Sequence, residues 1–232
     1  MPAAKDPQTE KVPLTEKLND LIHKNRQKLF IALIAVVVIL AAFVIITTVR
    51  DKMTTDALSK ADAFNRRYEA LKKFISGEDP EAASKQADID ALLEELAAFT
   101  AKSSGFASAR AHVIIAGIQW DKKNWAEAEK AWMAASAAAA KTYLAPISIY
   151  NAAVAAEEQG NLQSAIDLYT KAVNYGTDFP AAARAQFSIG RLEETQNNSS
   201  AALEAYRALV NKWPNDAVWI NLAQSRIIVL SE

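Results

Sequence analysis

Three nonapeptides, NWAEAEKAW (124–132), NLQSAIDLY (161–169) and NSSAALEAY (198–206), decide how this chain folds. Each opens on Asn, has Ala fifth, closes on an aromatic and follows its predecessor by 37 residues. The same step relates Ala116, Ala153 and Gly190 upstream, and Ala135 and Ala172 downstream, where the third copy has Leu209. Small residues at these columns let two helices approach closely, and the aromatic fills the gap against the neighbouring unit. An antiparallel helix pair of this kind buries its apolar face only when stacked on another pair. The expectation is an all-α chain whose residues 105–232 form an α-solenoid of three 37-residue helix pairs and a capping helix from Asp216 to Leu230. The alanine run Ala134 to Ala140 is expected to lengthen the second helix of the first pair. Ala156 lies off the columns and is expected to accept a larger side chain more readily than Ala165.

Composition agrees. Among 232 residues there are only six Gly and seven Pro, too few for the turns of an all-β chain. The absence of Cys excludes disulfide frameworks, Cys-ligated zinc and a cysteine nucleophile. With 26 basic and 27 acidic residues, the chain has no excess positive charge for binding nucleic acid.

Working back toward the N-terminus, Ser103-Ser104-Gly105 breaks the pattern. A helix is expected between Pro80 and Ala101, with Ile89, Leu92, Leu93, Leu96 and Phe99 as its buried stripe. Before it, Met53, Leu58, Ala61, Phe64, Tyr68, Leu71 and Ile75 recur at helical spacing up to a stop at Gly77, so residues 50–104 read as a helical stalk and first helices. Leu29 to Val49 is 21 residues without an ionisable group. As a helix it spans about 31 Å, the thickness of a bilayer's hydrocarbon core, and reads as one transmembrane segment. It contains neither an intramembrane charge nor a Gly-x-x-x-Gly face, which makes it a tether and not a conduit. Lys17, Lys24, Arg26 and Lys28 precede it, against Arg50, Lys52 and Lys60 after it. That bias places residues 1–28 in the cytoplasm and the large C-terminal domain outside. Met1 to Pro13, with three prolines and mixed charges, reads as irregular.

The repeat resembles the tetratricopeptide repeat. Its pattern of small residues, an aromatic and a late proline is met by Ala153, Ala165, Tyr169 and Ala172 in the middle copy and by Gly190, Ala202, Tyr206 and Pro214 in the last. The match covers Phe106 to Leu230. It departs from the family in its 37-residue period and in the placement of Pro146 and Pro180. A short tail, one span, a helical stalk and a repeat domain together resemble the YfgM-like family, single-span bacterial inner-membrane proteins with a periplasmic repeat domain. The resemblance implies association with the Sec translocon and periplasmic chaperones.

Catalytic material is scarce. His23 and His112 have no partner at metal-ligand spacing, and there is no phosphate-binding Gly-rich loop or Gly-x-Ser-x-Gly elbow. The doublets Glu94-Glu95, Glu157-Glu158 and Glu193-Glu194 point about 100° apart on a helix and read as solvated faces. No enzyme activity, cofactor, metal or small-molecule substrate is expected. The tetratricopeptide resemblance implies a protein-binding concave face carrying Arg110, Val113 and Trp120, then Tyr150 and Glu157, then Arg184, Phe187, Arg191 and Glu194. Val113, Tyr150 and Phe187 are themselves 37 apart and read equally well as core. Arg184 and Arg191 suit an acidic partner segment or local acids. The family's carboxylate clamp needs Asn and Lys at places where this chain lacks them. Trp125, Trp132, Trp213 and Trp219 read as packing residues, whereas Trp120 is expected in the groove. The function expected is a membrane-anchored scaffold for protein partners, accessory to export and periplasmic folding. The alternative is a structural component of an envelope machine such as a flagellar motor collar or a division complex.

Overall fold

A computed structural model describes residues 22–77, 79–175 and 179–232. The irregular tail expected over Met1 to Pro13 lies outside the described residues. Helices account for the architecture: α1 Arg26–Ile75, α2 Ala82–Thr100, α3 Gly105–Asp121, α4 Trp125–Ala138, α5 Leu144–Glu158, α6 Leu162–Val173, α7 Ala182–Thr195, α8 Ser199–Lys212 and α9 Ala217–Ser231. The chain divides into two compact units between Thr54 and Thr55.

In the first unit, the apolar side chains of the stretch 29–49 of α1 are exposed, including Phe30, Ile39 and Phe43. This stretch is a candidate membrane span by length and composition. Its only hydroxyls bond within the helix, Thr47 Oγ1 to the carbonyls of Phe43 and Val44 (3.1 and 2.9 Å) and Thr48 Oγ1 to that of Val44 (2.8 Å). No polar group there depends on water, as a lipid environment requires.

The second unit begins with the last turns of α1. Ala61 is buried, and Phe64, Tyr68, Phe74 and Ile75 share one core with Ile89, Leu92 and Leu96 of α2 and Ala111, Ile114 and Ile118 of α3. The segment read as a stalk is thus, from Ala61 onward, part of the domain core. Phe64 meets Phe99 edge to face at 5.5 Å. The chain leaves α1 through Gly77 at φ +77° and enters α3 through Gly105 at φ +67°, backbone that glycine adopts without steric cost.

Three helix pairs follow, α3/α4, α5/α6 and α7/α8, and α9 packs on α8. The turn within each pair has one geometry. Asn124, Asn161 and Asn198 precede the second helices with φ of −86°, −82° and −91°. Their carbonyls accept from the N–H of Ala128, Ala165 and Ala202, each at 3.0 Å. The residue before each Asn has a positive φ: Lys123 59°, Gly160 75° and Asn197 59°. The three column alanines are completely buried, as are Ala116 and Ala153. At Gly190 an added Cβ would stand 2.5 Å from Cε1 of Tyr206, so Gly at this column lets the ring of the third pair sit close against α7. At 14 residues α4 is two longer than the 12-residue α6.

One expectation is corrected. Ala156 is as fully buried as Ala165. A first helix inside a stack is covered on two sides, so faces outside the signature columns are core as well.

Candidate protein-binding face

The first helices of the pairs bring the predicted residues to successive unit junctions. At the third junction, the Tyr206 hydroxyl donates to Glu194 at 2.6 Å, and Arg226 of α9 donates to both oxygens of the same carboxylate, with Nε at 3.0 Å from Oε1. At the second, the Tyr169 hydroxyl donates to Glu157 at 3.2 Å, and Arg191 of α7 reaches both Glu157 oxygens at 2.7 Å. Tyrosine and glutamate come from the two helices of one pair, and the arginine comes from the next helix along. The motif ties neighbouring units together.

The Arg226 hydrogen bonds hold the Glu194 carboxyl below the usual carboxylate range, against the opposing effect of burial. Hydrogen bonding to Glu157 raises Arg191. Burial pushes the Tyr169 and Tyr206 hydroxyls up, and their glutamate neighbours add to it. Each phenol stays protonated and donates.

These contacts correct the reading of Glu157 and Glu194 as a solvated face: their side chains are only 25% and 16% exposed. The signal was present, since the tyrosine follows its glutamate by 12 residues in both copies. The remaining predicted residues are less uniform. Tyr150 is buried against Tyr169 and Phe179, and the Arg184 guanidinium lies over its ring at 5.6 Å. Phe187 packs between Tyr206 and Trp219 with tilted rings, centroids at 5.3 and 5.4 Å. Arg110 pairs with Asp62 of α1 at 2.5 Å. A hollow at the third junction, lined by Phe187, Arg191, Glu194, Thr195, Tyr206 and Arg226, therefore presents charges that already have partners.

The first junction differs. Trp120, at the glutamate position, is half-buried and meets Trp125 at 4.7 Å between centroids. Trp120 and Val113 line a cavity of about 440 Å³ with Trp132, Val154, Tyr68 and Asp121, which lie on α1, α3, α4 and α5. His112 is half-buried beside it in sequence, and burial lowers its pKa. Among the described residues no group of three or more His, Asp or Glu is placed to hold a metal ion.

Comparison with known proteins agrees with this geometry. A family model described as "Tetratricopeptide repeat" matches residues 119–178 and 150–217. A "TPR repeat-containing protein" of Treponema pallidum (strain Nichols) is 32% identical over 193 residues, which cover 79% of this chain and 80% of that protein. No solved structure matches.

Proposed function

The chain belongs to the tetratricopeptide repeat family, and we propose that it is a scaffold anchored in a bacterial inner membrane by residues 29–49. In this reading residues 1–28 are cytoplasmic and residues 50–232 are periplasmic. The domain holds partner proteins near the membrane, without chemistry of its own, as an accessory to protein export and to periplasmic chaperones in the manner of the YfgM-like family. The observation that carries the proposal is the joining in one chain of an apolar helical stretch with no protein cover to a stack of helix pairs. An uncovered apolar helix of that length is stable in lipid. A helix-pair stack offers a long side-chain surface for other chains.

A reporter active only outside the cytoplasm tests the topology: it should be active when fused after Glu232 and silent when fused before Leu29. The reverse pattern overturns the periplasmic assignment. Chemical cross-linking in intact cells, followed by solubilisation and purification of the full chain, tests the partners. Translocon or periplasmic chaperone subunits support the reading, whereas motor or division proteins would move the protein to a structural role in an envelope machine.

A further inference from the structure

The second and third junctions show what this fold places beside a tyrosine–carboxylate pair: a guanidinium from outside the helix pair, Arg191 on Glu157 and Arg226 on Glu194. The first junction lacks that guanidinium. One repeat before Glu157, Tyr169 and Arg191 stand Trp120, Trp132 and Val154. The pair itself is nevertheless present, rebuilt from other residues: the Tyr68 hydroxyl of α1 donates to Asp121 Oδ2 at 3.2 Å, the distance seen for Tyr169 and Glu157. Among the described residues Asp121 accepts this one hydrogen bond and forms no ion pair. Lys72, which lines the same cavity, lies with its ammonium 5.7 Å from the Tyr68 ring centroid. The about 440 Å³ cavity that Asp121 faces has indole and phenol walls from Trp120, Trp132 and Tyr68, and a second carboxylate, Glu69, on its lining. Aromatic faces and a carboxylate around one space attract a planar cation, and the guanidinium suits them best because it stacks and bonds at once.

We propose that this cavity is the docking site for an arginine side chain of a partner protein, which completes at the first junction the tyrosine–carboxylate–arginine motif that the chain completes by itself at the other two. The proposal rests on the scaffold reading above and specifies where and by what chemistry the partner is held. Charge complementarity and the two internal examples, Arg191 on Glu157 and Arg226 on Glu194, both point to arginine.

The probe is N-acetyl-argininamide, titrated into the full chain in detergent while the indole N–H resonances are followed by NMR. N-acetyl-citrullinamide, the same shape without charge, and N-acetyl-leucinamide serve as controls. Argininamide should give saturable shifts of the Trp120 and Trp132 signals, and both controls should bind about tenfold more weakly or not at all, the factor expected for losing one charge-assisted hydrogen bond. Asp121→Asn, which keeps an acceptor for Tyr68, should weaken argininamide binding by about tenfold while the helical signal and Tm remain those of the wild type. Val154→Arg should supply the missing guanidinium from within, remove argininamide binding and raise Tm, and Asp121→Asn in the same chain should cancel the rise. Absence of saturation with argininamide, or equal binding of citrullinamide or leucinamide, overturns the assignment. Cross-linked partners that Asp121→Asn leaves fully recovered overturn this docking site and leave the scaffold reading standing. Loss of every specific partner from the wild-type chain overturns the scaffold reading instead.

Discussion

At the second and third junctions a tyrosine, a glutamate and an arginine from the next helix tie neighbouring units together, while at the first junction two tryptophans and a valine occupy those positions around a cavity. All three sites rest on one buried alanine column, Ala128, Ala165 and Ala202, and on the same turn. The backbone framework of a stacked pair therefore does not dictate what its junction does. Residues at a single step of the repeat decide whether the junction is bound to its own neighbour or left open to another molecule.

The largest effect should come from the aromatic column. Tyr169→Ala removes a ring only 2% exposed, with a loss of about 3–5 kcal/mol, whereas Trp132→Ala, at a half-buried position on the cavity wall, should cost less than half as much. Denaturant midpoints of the two variants measure the difference, and equal losses would mean that the first junction is packed as tightly as the second.

Next in size is the fit of the ring against the facing helix. Gly190→Ala forces a Cβ to 2.5 Å from the ring of Tyr206, which is buried and held by Glu194, and should destabilise by about 1–3 kcal/mol despite alanine's better helix propensity. Gly117→Ala would meet the Tyr68 hydroxyl at 2.7 Å, the far end of a side chain bordering the cavity. There the clash is with the hydroxyl end and not the flank of the ring, so thermal unfolding should show a smaller loss than Gly190→Ala gives.

The smallest effect is electrostatic. Because Glu194 is held below its ordinary value by Arg226, its contribution is present above about pH 4.3 and is lost as pH falls through the lower folded value. The exposure of Arg226, whose side chain is 40% accessible, limits it to under about 1 kcal/mol. Glu194→Gln should flatten this part of the acid-side loss of Tm, as thermal unfolding followed across acidic pH would show.

How much of this was legible follows from which contacts repeat at the 37-residue step. The alanine columns, the Asn turns and the aromatics all do, and so they identify the helix pairs from sequence alone. Local acids were one reading of Arg191, but the particular glutamate–arginine ties were not legible because their partners break the step: Glu157 and Glu194 are 37 apart, but Arg191 and Arg226 are 35 apart, as are the starts of α7 and α9. Tyr68 was missed as a partner of Asp121 because it belongs to α1, outside the repeat altogether. The burial of Ala156 was missed for a third reason, that signature columns mark where helices touch most closely and not everything a stack covers.

The turns carry a consequence of another kind. Lys123, Gly160 and Asn197 share one left-handed conformation, and each is followed by an Asn whose carbonyl starts the next helix. A gene encoding such a chain can lose or gain the stretch from Asn124 to Gly160 and still join a left-handed residue to a helix-starting Asn. The joint would be the same; the number of junctions would change. Duplication and excision at these points offer such a lineage a route to change the number of open and tied junctions without redesigning a single turn.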